Sequence, residues 1–140
     1  MKLIALSLLI IFAGCHAAKK TTISMGRLRG EWVPVQQEIG GKALPAAIFE
    51  KEKLTLSDTN YTFIAESVDR GVVKYSGNKM DIYGREGVNS GKHFTAICKL
   101  EKGRLFICYN LAGDSYPASF DTKGHPSLFL SIFARARQKR

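Results

Sequence analysis

His93-Phe94-Thr95-Ala96-Ile97-Cys98-Lys99-Leu100-Glu101-Lys102-Gly103-Arg104-Leu105-Phe106-Ile107-Cys108-Tyr109-Asn110 is two alternating runs joined at Lys102-Gly103. Phe94, Ala96, Cys98 and Leu100 recur at every second position, the period of a strand with one buried face. A Gly-containing loop of about four residues between two such runs is a hairpin tip. With Glu101 to Arg104 as that loop, Leu100 faces Leu105, Cys98 faces Ile107 and Ile97 faces Cys108. Side chains alternate across a sheet, so this register sends the two sulfurs to opposite faces and predicts two unpaired, partly buried cysteines. A loop shifted by one residue would instead bring them together.

The same grammar extends outward. Strands are predicted at Glu31 to Ile39, Lys53 to Ser57, Tyr61 to Ser67, Gly71 to Ser76, Lys79 to Tyr83, Ala118 to Asp121 and Leu128 to Ala134, beside the two of the hairpin. Ser57-Asp58-Thr59-Asn60 and Ser76-Gly77-Asn78 supply turns between them. Leu44 to Lys53 reads as one short helix after the first strand, starting near Pro45, and Leu128 to Phe133 could also begin a helix capped by Ser127. Many closely spaced antiparallel strands in one small domain predict an all-β fold, a small up-and-down barrel, because closure removes exposed edges.

The formal charge of +9 first suggests a nucleic-acid binder. From Gly30 to Ala134, however, twelve Lys plus Arg balance all twelve acidic residues. The excess sits in Lys2, Lys19, Lys20, Arg27 and Arg29 before that stretch and in Arg135, Arg137, Lys139 and Arg140 after it. A neutral body has no basic surface to track phosphates, which argues against nucleic acid. Basic tails suit anionic lipid headgroups, and solvated ends are the plainer reading.

Gly30-Glu31-Trp32 resembles the Gly-x-Trp that opens the first strand of lipocalin-type barrels. Ile39-Gly40-Gly41-Lys42-Ala43-Leu44-Pro45, Lys53-Leu54-Thr55-Leu56, Tyr61-Thr62-Phe63, Glu86-Gly87-Val88-Asn89-Ser90-Gly91-Lys92, Ile107-Cys108-Tyr109 and Pro117-x-x-Phe120 follow in order. Together they are similar to a lipocalin-like domain family of bacterial envelope proteins, over nearly all of Gly30 to Ala134. The resemblance implies a barrel with no activity, cofactor or catalytic residue to carry over. It also implies that Trp32 packs across one end of the barrel, with Arg135 and Arg137 as candidates to stack on it. Phe63, Phe94, Leu100, Leu105 and Tyr109 are expected inside, as plain core or as ligand contacts.

Met1 to Cys15 (MKLIALSLLIIFAGC) has one lysine, an apolar run from Leu3 to Phe12, and small residues before a cysteine. That run is about half a bilayer span, and the pattern is that of an export signal. Phe12-Ala13-Gly14-Cys15 resembles the lipobox of bacterial lipoproteins, with Phe12 where leucine is usual. The resemblance implies cleavage before Cys15, its acylation and a durable membrane anchor. Ordinary secretion, with cleavage after Ala17 or Ala18, is the alternative. The expected organisation is a signal peptide over 1–14, a lipidated tether over 15–29, a barrel over 30–134 and a basic tail over 135–140.

Candidate chemistry is sparse. His93 and His125 stand alone, without the three or four convergent ligands of a metal site. Ser90, Ser115 and Ser119 lack a Gly-x-Ser-x-Gly elbow, and Cys98 and Cys108 lie in apolar strands where a thiolate is disfavoured. Glu50 with Glu52, or Asp58 with Asp81, have no fixed separation, and 86–92 lacks the Lys-Ser or Lys-Thr ending of a phosphate loop. Asn60-Tyr61-Thr62 fits a glycosylation sequon that a bacterial source normally leaves unused. The expectation is a monomeric, non-enzymatic envelope protein without metal or cofactor, binding a small apolar or amphipathic ligand. The alternative is a filled barrel that serves as a protein-interaction or structural module.

Overall fold

Residues 93–110 form the expected hairpin in the computed structural model, which describes residues 23–137. Strands β7 (His93–Glu101) and β8 (Arg104–Asn110) pair antiparallel with Leu100 opposite Leu105, Cys98 opposite Ile107 and Ile97 opposite Cys108. The turn bends through Lys102 and Gly103 at φ of 48° and 75°. Both cysteines are free and buried, as that register requires. The expected signal peptide over 1–14, Cys15, Lys19, Lys20, Lys139 and Arg140 lie outside the described residues.

Upstream come β1 (Gly30–Ile39), β2 (Lys42–Ala43), β3 (Lys53–Leu56), β4 (Asn60–Ile64), β5 (Val68–Ser76) and β6 (Lys79–Glu86), and β9 (Leu128–Arg135) follows the hairpin. Each long strand pairs with the next in sequence, and β9 returns to pair with β1. The result is an all-β, closed antiparallel barrel of eight strands, with β2 as a two-residue flap on β1. Leu128 to Phe133 is therefore strand and not helix, because its backbone groups are taken by β8 on one side and β1 on the other.

Two expectations need correcting. The helix predicted over Leu44 to Lys53 is one turn, α1 (Ala46–Phe49). Pro45 offers no side-chain cap and only Phe49 is buried, so nothing propagates the turn before β3 begins. Ala118 to Asp121 is not a strand. Closure leaves β8 and β9 without a free edge, so this segment has no ladder to join. It belongs instead to a strap over 111–127 that lies on the outer face of the barrel. There Tyr116 and Phe120 cover Ile97, Cys108, Leu128 and Leu130, and Phe120 meets Phe106 edge to face at 6.3 Å. The hairpin thus buries both faces, with Cys98 in the barrel and Cys108 under the strap.

The barrel has one sealed end. The chain enters there through a 3₁₀ turn, Met25–Arg27, and Leu28 and Ile23 pack into the main core. Trp32 is 1% exposed, and its indole Nε1–H donates to the Leu28 carbonyl at 2.8 Å. The β3–β4, β5–β6 and β7–β8 turns lie at this end; α1, the β4–β5 and β6–β7 loops and the strap lie at the other. Among the described residues no helix is long and apolar enough to cross a membrane.

Candidate functional site

The interior is not filled. A cavity of about 180 Å³ lies between the main core and the end opposite Trp32. Its floor is apolar, with Leu54, Leu56, Val73, Met80, Ile82, Ile107 and Phe133 contributed by five of the eight strands. Nearer the mouth stand Phe63, Phe94, Tyr109, Leu111 and Phe129. Phe63, Phe94 and Tyr109, expected inside from their strand parity, line this space. Leu105 is fully buried and Leu100 packs on the same core, but both, like Trp32, belong to the sealed half and not to the cavity wall.

Besides Tyr61 and Tyr109, four polar side chains line the cavity: Gln37, Asp69, Asn89 and Ser131. Asp69 is 4% exposed and accepts from three neutral donors. The Tyr61 hydroxyl donates to Oδ2 at 3.0 Å, the Asn89 backbone N–H to Oδ1 at 3.1 Å and the Asn89 side-chain amide to Oδ2 at 3.0 Å. Burial, and then the adjacent carboxylate, push the Tyr61 phenol well above its ordinary pKa, so it remains a donor. Gln37 donates to Glu52 at 2.6 Å and to the Ser131 hydroxyl at 3.4 Å. Glu52 titrates above the usual carboxylate range because burial outweighs that hydrogen bond.

Local sequence hides the inward position of these groups. Gln37 is five residues from Trp32, which in a regular strand would place it on the opposite face. A bulge between Pro34 and Gln36 reverses the parity, leaving Val35 outside and turning Gln37 inward. Asp69 lies two residues before the predicted start of its strand. Extending the alternation of Val73 and Tyr75 backward through Gly71 would have placed Asp69 inside. Asn89 sits in the loop of 86–92, whose shape is set by close approach. A Cβ on Gly84 would lie 1.8 Å from the Asn89 carbonyl oxygen.

The other candidates are dispersed. His93 stacks on Tyr83 at 4.5 Å on the barrel exterior and bonds Asp81 at 2.8 Å, while His125 is exposed in the strap. Asp58 pairs with Arg29 and not with Asp81, and Glu50 is exposed while Glu52 turns to Gln37. Among the described residues no three His, Cys, Asp or Glu side chains converge as metal ligands.

No family model and no curated protein matches the sequence. Among solved structures, a lipocalin-like protein from Bacteroides uniformis is similar over 79% of this chain and all of its own, at 13% identity and a TM-score of 0.53. A mutant of the fluorescent protein UnaG aligns over 82% of this chain and all of its own, at 13% identity and a TM-score of 0.43. The first likeness shows the fold: this chain is built as a lipocalin-like barrel.

Proposed function

We propose that the protein is a non-enzymatic binding barrel of the bacterial cell envelope. It holds one small apolar or amphipathic molecule, uses no cofactor, and is tethered to a membrane through acylated Cys15. The observation that carries the reading is the cavity of about 180 Å³, apolar at its floor and open at the end opposite Trp32. An apolar cavity of about 150 Å³ already admits benzene, whereas drug-sized sites begin near about 300 Å³. The guest is therefore about the size of a ring or a short chain.

Charge placement supports the membrane half of the reading. Arg27, Arg29, Arg135 and Arg137 all lie at the sealed end, where the tether enters and the basic tail leaves. A barrel tethered there would turn its basic end to anionic headgroups and its mouth away from them.

Native mass spectrometry of the protein extracted from membranes tests both halves. The account expects a chain beginning at acylated Cys15 and released with a small bound mass. A chain beginning after Ala17 or Ala18 would overturn the anchor. A barrel that takes up no apolar guest at any concentration would overturn the binding function and leave a structural or interaction module.

A further inference from the structure

Building on the reading of the barrel as a ligand binder, we infer that the cavity selects a small amphiphile with an apolar body and a protonated amine head. The head docks on Asp69 at the mouth and the body on the floor formed by Val73, Ile107 and Phe133.

The balance of charge inside the barrel carries this. None of the residues lining the cavity is Lys, Arg or His, and Asp69 is its single ionisable carboxylate. Asp69 enters no ion pair among the described residues; its three partners are all neutral donors. A carboxylate offers about four lone-pair positions, so acceptor capacity remains at the cavity wall. A buried carboxylate held only by neutral donors keeps a full uncompensated charge, which is costly to maintain. The surrounding chain nevertheless holds it in place. Gly84 and Gly87 let the 86–92 loop close to the point where a Cβ on Gly87 would sit 2.7 Å from Asp69 Oδ1.

Each class of guest then meets a different site. A carboxylate or phosphate would face Asp69 with no cation to receive it. An uncharged apolar molecule fits the floor and leaves the charge as it was. An ammonium head supplies a charge-assisted hydrogen bond in a site largely shielded from water, the strong kind. Only the last uses both halves of the cavity.

Three guests of one shape separate these cases: toluene, benzylammonium and benzoate, titrated at neutral pH against the full chain with NMR signals of Val73 and Ile107 as the readout. Benzylammonium is expected to bind about tenfold more tightly than toluene, and benzoate about tenfold more weakly. D69N should bring benzylammonium to within about twofold of toluene. Where D69N does not fold, L111K supplies the check, because Leu111 is 42% exposed at the mouth and a lysine there should erase the preference for the cation. Toluene binding without any preference for benzylammonium overturns the amine assignment and leaves the binding function standing. Failure of toluene itself overturns the binding function.

Discussion

The Arg135 guanidinium lies over the Trp32 ring, 3.9 Å from its centroid, and its two terminal nitrogens donate to the carbonyls of Arg27 and Arg29. The last strand thereby locks the entering chain across the sealed end. A desolvated cation over an indole face is worth about 2 kcal/mol and an exposed one about half that. Arg135→Ala is expected to cost about 1–2 kcal/mol in chemical denaturation, with guest binding unchanged because neither Arg135 nor Trp32 lines the cavity. A weakened affinity for an apolar guest would show that the two ends are not independent.

The 86–92 loop is predicted to fail at Gly84. With a Cβ only 1.8 Å from the Asn89 carbonyl oxygen, Gly84→Ala must push that loop off β6. Overpacking of this kind costs typically about 1–3 kcal/mol. The displacement also withdraws both Asn89 donors from Asp69. Loss of slow hydrogen exchange at the Asn89 amide is the readout, and an unchanged amide would refute the contact.

The two buried thiols should be silent until the barrel opens. Burial pushes Cys98 up to about 12, and burial together with the Glu38 charge pushes Cys108 up to about 11. Thiolate is the reactive form, so a thiol reagent near neutral pH should label neither in the native state and both after denaturation. Peptide mapping keeps Cys15 apart from them. A reductant should leave the unfolding midpoint where it was; a reductant-sensitive midpoint would mean that the two sulfurs are paired and the hairpin register is wrong.

Acid should act on the outer face through Asp81. The Tyr116 hydroxyl, donating at 2.6 Å, and then His93 hold its carboxyl below the ordinary 3.8. Folding thus favours the ionised form, so this contribution is complete above the unfolded pKa and is lost as pH falls through the lower folded value. Between about pH 5 and pH 2 the wild type should lose about 0.5–1 kcal/mol more than Asp81→Asn. Parallel pH profiles for the two proteins would remove Asp81 from the account.

Much of the barrel was legible because strand period and turn chemistry are local. The hairpin register followed from Lys102-Gly103 and alternation alone, and it placed both cysteines correctly. The strap could not be read this way. Ala118 to Asp121 alternates apolar and polar residues as a strand does, and only closure of the barrel by β9 on β1 denies it a partner. The cavity's apolar wall was partly foreseen through Phe63, Phe94 and Tyr109. Its polar groups escaped notice because a bulge at Val35 reversed the parity of Gln37 and because Asp69 owes its inward position to a strand that starts earlier than its composition indicates.

The cavity itself is the central claim, and xenon tests it without assuming any ligand. A crystal of the protein under xenon pressure should show the gas among Val73, Ile107 and Phe133, with the surrounding side chains in place. Xenon absent from that position, with Phe129 or Tyr109 turned into the space, would show a filled barrel and contradict the account.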